Sequence, residues 1–345
     1  MTATYHKYIL NFKQPSGTSR GILKTKETWF IVLNDKGNTG IGECGILRGL
    51  SADDRPDYED KLKWACKNIH LGLDCLIREL VEMPSIQFGL EMAFKSLQSV
   101  DKFELFPSEF TKGNRSIPIN GLIWMGSEDF MKLQIKEKIE NGFKCIKLKI
   151  GAIDFQTELN LLKSIRKEFT PNDIELRVDA NGAFVPDAVL EQLKRLSELN
   201  LHSIEQPIKA GQWQEMASLC SKTPLPIALD EELIGVFETS KKKKLLQTIQ
   251  PQYLILKPSF IGGFTGSSEW IELAENEKIG WWMTSALESN VGLNAIAQWT
   301  YTLQNNRFQG LGTGSLFANN FSSPLKVKNG TLQYDNSLNW NFNLV

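Results

Sequence analysis

The sequence predicts an α/β fold: a parallel (β/α)8-type barrel preceded by an α+β unit. Three observations carry that prediction. From about residue 116, short apolar segments alternate with longer helical ones until eight strands have been read. The informative residue near each strand end recurs with a steady period: Lys149, Asp179, Glu205, Asp230, Lys257, Ser285 and Gly312 follow one another at intervals of 30, 26, 25, 27, 28 and 27 residues. A βα repeat of that size is the signature of a closed barrel. Third, most of these strands end on a polar residue, where structural strands end in a turn. The competing architecture, a doubly wound open sheet, would carry a Gly-rich phosphate turn after its first strand, and Gly121-Leu-Ile-Trp is not one.

In chain order, residues 5–12 and 28–33 are rich in β-branched and aromatic residues. The second leads through Asn34-Asp-Lys-Gly-Asn38 into Gly40-Ile-Gly-Glu-Cys44, a meander. Helical spacing follows over residues 56–79 and 84–100. Barrel strands are read at 116–122, 145–150, 174–179, 203–205, 226–230, 253–257, 281–285 and 310–315. After Ser322 the period breaks, and Asn329-Gly330 between two short apolar runs predicts a hairpin. Having no place in the barrel, this piece is expected to return to the N-terminal unit. The division is therefore 1–112 with 321–345 as one unit, and 113–320 as the barrel.

Composition removes several function classes. Lysine plus arginine number 39 against 40 acidic residues, a formal net charge of −1 over 345 residues. This excludes nucleic acid as the main partner, since phosphates demand a basic footprint. The run Lys241 to Lys244 reads as a solvated helix face. Five cysteines without a CxxC read as reduced thiols, and neither a signal peptide nor a membrane span is legible, so the expected location is cytoplasmic. Three scattered histidines leave chemistry to carboxylates and lysines. No pattern sets the oligomeric state.

In Cys145-Ile-Lys-Leu-Lys149, alternation places Lys147 and Lys149 on one face and the aliphatic residues on the other. In a barrel the aliphatic face meets the helices, so both lysines point inward, as do Arg177, Asp179 and Lys257. Asp179, Glu205 and Asp230 end three successive strands ~4.8 Å apart. Three carboxylates without His or Cys select a hard cation, Mg²⁺. Lys147 and Lys149, ~7 Å apart, repel by roughly 2 kcal/mol at an effective dielectric of ~20, which lowers one pKa by somewhat over a unit and prepares a general base. A divalent ion flanked by lysines suits removal of a proton beside a carboxylate.

The set of motifs, in order, resembles the enolase superfamily in its muconate-cycloisomerase-like subgroup. They are Lys147-Leu-Lys149, Arg177-Val-Asp-Ala-Asn-Gly182, Ile204-Glu-Gln-Pro207, Ala228-Leu-Asp-Glu231, Leu256-Lys-Pro258 and Ser285-Ala-Leu-Glu-Ser-Asn-Val-Gly292, and they span nearly the whole chain. The resemblance implies a modified (β/α)7β barrel with the α+β unit as a capping domain, its loops near 15–20 and 44–52 closing over substrate. It implies Mg²⁺, with Mn²⁺ as a substitute, on Asp179, Glu205 and Asp230, Lys149 as the base, Lys257 as the lysine of the opposite face, and Lys147 beside them. Dipeptide epimerases of this superfamily carry Asp-x-Asp near the eighth strand, whereas residues 308–320 contain no acid, which disfavours a cationic substrate. The stretch Gly310-Leu-Gly-Thr-Gly-Ser-Leu-Phe-Ala-Asn-Asn320 is similar to that of o-succinylbenzoate synthases, with Gly312 where relatives carry Asp.

The implied reaction is a syn dehydration of 2-succinyl-6-hydroxy-2,4-cyclohexadiene-1-carboxylate, with a small anionic carboxylate as the partner molecule. Asn181 and Arg177 are expected to orient substrate or metal ligands, and Ser285, Ala286 and Gly312 to contact substrate. The rival activities are an N-acylamino acid or dipeptide racemase of the same superfamily and a non-catalytic metal-binding scaffold.

Overall fold

The computed structural model describes residues 1–18 and 21–344. Ser19 and Arg20, within the predicted capping loop at 15–20, lie outside the described residues. The chain opens with an antiparallel meander of β1 (Thr2–Thr18), β2 (Gly21–Asp35) and β3 (Asn38–Gly45). Three helices follow: α1 (Tyr58–Lys67), α2 (Leu73–Glu79) and α3 (Pro84–Gln98), the last started by proline at its first turn. Helix α3 lies directly on β3, and glycine makes the approach possible. A Cβ on Gly42 would stand 1.8 Å from the Gly89 carbonyl oxygen. Trp29, Ile31, Leu33, Leu62, Ile86 and Leu90 form the core between sheet and helices.

A two-residue strand, β4 (Ile117–Pro118), precedes the barrel. The barrel strands and helices alternate as β5 (Gly121–Ile123), α4 (Glu128–Glu140), β6 (Cys145–Lys149), α5 (Phe155–Glu168), β7 (Glu175–Asp179), α6 (Pro186–Ser197), β8 (Ser203–Glu205), α7 (Trp213–Lys222), β9 (Ile227–Leu229), α8 (Thr239–Ile249), β10 (Tyr253–Leu256), α9 (Pro258–Ile261), α10 (Gly263–Asn276), β11 (Gly280–Met283) and α11 (Asn290–Thr302). Strands β5 to β11 form one parallel sheet in sequential order. Ile146, Leu148, Leu176, Val178, Ile204, Ile227 and Leu229 face the helices in the largest core cluster, as alternation predicts.

The eighth strand expected at 310–315 is not formed. Its place is held by Gln309 and Gly310, through parallel bridges to Ile119 and Thr284. Gln309 O accepts from Asn120 N at 3.0 Å, and Gly310 N donates to Met283 O at 2.7 Å, so the barrel closes through two residues. The first strand is likewise split: residues 116–122 yield β4, then β5.

The predicted hairpin exists as β12 (Leu325–Lys328) and β13 (Thr331–Tyr334). It adds to β4, in sheet order β12-β13-β4, rather than to the N-terminal sheet. It is the tail beyond it that reaches the capping unit: Trp340 stacks on Phe103 at 4.1 Å, and Phe342 meets Phe30 edge-on. The Lys241 to Lys244 run lies on α8 and is exposed except for Lys242. That residue is buried, with Nζ 2.6 Å from Glu269 and its charge over the Trp270 ring. All five cysteines are free, and no helix among the described residues is long and apolar enough to cross a membrane.

Candidate active site at the barrel mouth

Strand register levels the charged residues. Lys149 pairs with Asp179, and Asp179 with Glu205; Glu205 pairs with Ala228, so Asp230 stands two residues higher. All four are at least nine-tenths buried. Lys147 Nζ donates to Glu205 at 2.7 Å and Asp179 at 3.2 Å, while Lys149 Nζ donates to Asp179 at 2.9 Å and to the Asn181 amide oxygen at 2.6 Å. Across the barrel, four strands from β6, Lys257 Nζ donates to Asp230 and stands 4.0 Å from Glu205 Oε1. One cavity is lined by Lys147, Lys149, Asp179, Asn181, Lys257, Ser285, Ala286 and Gly312.

The electrostatics differ from the expected lysine–lysine repulsion. Burial disfavours the charge of Lys147, but Glu205 and Asp179 outweigh it and raise its pKa above the ordinary lysine value. Lys257 is raised in the same way, against burial, by Asp230 and Glu205. Asp179 is held below the usual carboxylate range: burial opposes this, and Lys149 and Lys147 overcome it. Carboxylates therefore decide the state of Lys147 and Lys257, because each ammonium donates directly to at least one of them.

The strand ends are tied by neighbours. Gln206, fully buried, accepts from Asp230 N and Glu232 N at 3.2 Å and donates to Glu232 Oε2 at 3.0 Å, joining the ends of β8 and β9. Glu231, which immediately follows Asp230, receives the Asn181 side-chain amide at 3.1 Å. Glu158, in the first turn of α5, accepts from Gly151 N at 2.7 Å and holds the loop that follows Lys149. Burial pushes its carboxyl up to about 7, against the backbone donors. Between about pH 4.5 and 7 the folded chain thus keeps a proton that the unfolded chain has released. Stability falls as pH rises through that window, by on the order of 3 kcal/mol. The Glu158→Gln variant is expected to gain in relative stability from pH 5 to pH 8, as read by denaturant midpoints at the two pH values.

Arg177 is not in the cavity. It sits two residues below Asp179 on β7, and its guanidinium donates to Glu175 and to Phe308 O at 2.7 and 3.0 Å and covers the Trp282 ring at 4.0 Å. It fills the barrel interior one layer beneath the charges. Ser285 Oγ pairs with Thr313 Oγ1 at 2.6 Å. Leu23, Leu47 and Leu50 of the capping unit, with Trp124, Phe260 and Leu316, supply an apolar wall that sequence reading did not single out. Leu47 and Leu50 fall within the predicted capping loop at 44–52, but an apolar loop residue carries no signal of its own.

Among the described residues no three His, Cys, Asp or Glu side chains stand in a ready-made metal cluster; lysines pair with each of the three carboxylates. The donor set still fits a hard divalent cation. Asp179, Glu205 and Asp230 are all-oxygen donors, and Glu205 Oε1 is buried without a hydrogen bond.

Comparison with known proteins identifies relatives of this chain. Residues 131–337 match the family described as enolase C-terminal domain-like, whose members typically use Mg²⁺, and residues 1–97 match the MenC N-terminal domain. The chain is 46% identical to the o-succinylbenzoate synthase of Desulfotalea psychrophila, over 96% of this chain and 98% of that one. It is 35% identical to the N-succinylamino acid racemase of Thermus thermophilus, over 48% of this chain and 42% of that one. The crystal structure of MenC from D. psychrophila superposes with a TM-score of 0.85 at 43% identity, covering 96% of this chain and 99% of that one. Muconate lactonizing enzyme from Pseudomonas fluorescens, at 19% identity and a TM-score of 0.84, covering 99% of this chain and 96% of that one, shares the fold. The chain belongs to the enolase superfamily, in the o-succinylbenzoate synthase family.

Proposed function

We propose that the chain is a carbon–oxygen hydro-lyase, an o-succinylbenzoate synthase, which converts 2-succinyl-6-hydroxy-2,4-cyclohexadiene-1-carboxylate to 2-succinylbenzoate in menaquinone biosynthesis. The observation that carries this reading is 46% identity along nearly the full length to a synthase of that name. The cavity supports it: Lys149, Asp179 and Lys257 line it, Glu205 and Asp230 are buried against Lys147 and Lys257, and residues 308–320 contain no acid to hold a substrate ammonium.

Asp179, Glu205 and Asp230 would hold Mg²⁺, which when bound supplies positive charge to a carboxylate that becomes doubly anionic as its neighbouring proton leaves. Lys149 takes that proton. Its Nζ opens on the cavity and holds one carboxylate and one neutral amide, whereas Lys147 is clamped by two carboxylates. The protonated Lys149 then assists departure of hydroxide from the same face. Lys257 remains a cation and stabilises the enediolate from the opposite face. Ser285, Ala286 and Gly312 contact the substrate, and Asn181 orients Lys149. A cytoplasmic setting and a small anionic acid as the partner belong to the same reading, supported by the free cysteines.

The test supplies the cyclohexadiene substrate with Mg²⁺ and follows 2-succinylbenzoate, with a chelator control. Metal-dependent turnover is expected. No turnover, with racemisation of N-succinyl amino acids instead, would overturn the assignment in favour of the second reading, for which the facing pair Lys149 and Lys257 also suffices.

A further inference from the structure

The capping sheet sends one buried cation toward the barrel that takes no part in lining the cavity. Lys26 on β2 is 3% exposed, and its Nζ donates to the carbonyl oxygen of Leu287 at 2.9 Å. Its side chain passes over Gly45, the last residue of β3, where a Cβ would stand 2.7 Å from Nζ. Two fully buried carboxylates, Glu43 and Glu288, attract it. Glu43 is well satisfied at the start of α11: it accepts from Thr28 Oγ1, Ser289 N, Ser289 Oγ and Gly292 N at 2.6 to 2.9 Å. Glu288 accepts from Ser259 Oγ at 2.6 Å, and its Oε2 accepts no hydrogen bond. The charge of Lys26 therefore matters most to Glu288, and its geometry to Leu287.

Leu287 occupies the left-handed region at φ 62°, a conformation that a leucine holds only when its surroundings enforce it. Both ends of the residue are tied. Its N–H donates to Ser285 Oγ at 3.1 Å, and its carbonyl accepts from Lys26. The side chain packs with Leu10 and Phe317 and lines the cavity beside Ser285 and Ala286. None of the lysines or carboxylates of the proton-transfer machinery belongs to this stretch.

We propose that Lys26 is a positioning residue for substrate binding: by holding the Leu287 carbonyl it sets residues 285–287 as the cavity wall, so that the capping sheet governs the shape in which substrate is accepted. The inference rests on the reading of this cavity as the substrate site. A wall that touches substrate alike before and during chemistry acts on KM and leaves kcat in place.

The test compares the Mg²⁺-loaded full chain with three variants by steady-state kinetics and thermal midpoint, using the cyclohexadiene substrate, or an N-succinyl amino acid if only that turns over. Lys26→Met is expected to raise KM by about tenfold with kcat within about twofold, the pattern of lost uniform binding. Because it also strands Glu288, a fall in Tm is expected. Lys26→Met/Glu288→Gln removes the stranded charge and should recover Tm while KM stays high. Gly45→Ala displaces the ammonium without deleting its charge and should raise KM in the same direction. Wild-type KM in the double variant, or in Gly45→Ala, would overturn the proposal and leave Lys26 a charge-balancing group. Failure of the wild-type chain on the cyclohexadiene substrate bears only on the functional assignment, since the ratios of KM among variants are read on whichever substrate reacts.

Discussion

Replacing Lys149 with alanine is expected to lower kcat on the cyclohexadiene substrate by about four orders of magnitude, the upper range for loss of a positioned acid–base group. In the proposed mechanism the same residue serves both steps of a syn elimination, so nothing on that face replaces it. Lys147 is near in sequence but unsuited: Glu205 and Asp179 hold its ammonium, and its pKa lies above the ordinary lysine value. Lys257 lies four strands away and faces the other side of the cavity. The deletion leaves Asp179 with Lys147 at 3.2 Å, so the fold and product affinity should persist. Single-turnover kinetics and exchange of the substrate proton with deuterium from solvent provide the measurement. Retained exchange in Lys149→Ala would assign the base elsewhere.

Glu205→Gln is expected to carry the second large effect, a loss of about 10³-fold in kcat together with loss of the stabilisation that Mg²⁺ confers. Glu205 lies between the other two carboxylates in strand order, and its Oε1 is the buried oxygen left without a hydrogen bond. An ion at about 100 times its Kd should stabilise the wild-type chain by about 2.7 kcal/mol, and the variant should show little of that gain. The thermal shift separates two causes of inactivity. The substitution also weakens the 2.7 Å contact to Lys147, and a variant that lost only that contact would keep its Mg²⁺ response. A full metal-dependent shift in Glu205→Gln would remove Glu205 from the ligand set.

Residues whose role follows from strand alternation were legible before folding was considered. Lys147 and Lys149 point inward because Ile146 and Leu148 must face helices, and the βα period placed Asp179, Glu205 and Asp230 on adjacent strand ends. The same rule gave the direction of Arg177 but not its depth. One pleat lower, it meets Glu175, Phe308 and Trp282 instead of the cavity. The glycine-rich stretch 310–315 resembled a strand by its position in the period. Gly310, however, packs where a Cβ would come within 2.5 Å of Thr284 Oγ1, and regular pairing stops there. The hairpin was legible from Asn329-Gly330, its partner strand was not, because pairing with β4 is a long-range choice made by register.

The sequence by itself determined the barrel, the inward charges and the order of the motifs, since these depend on periods of two residues and of about 27 that every strand and helix must obey. Only the tertiary structure decided which cation each carboxylate holds and which apolar loops wall the cavity. It also decided how Lys26 reaches a carbonyl 261 residues away. Those choices depend on distances between segments remote in the chain, and no local pattern encodes them.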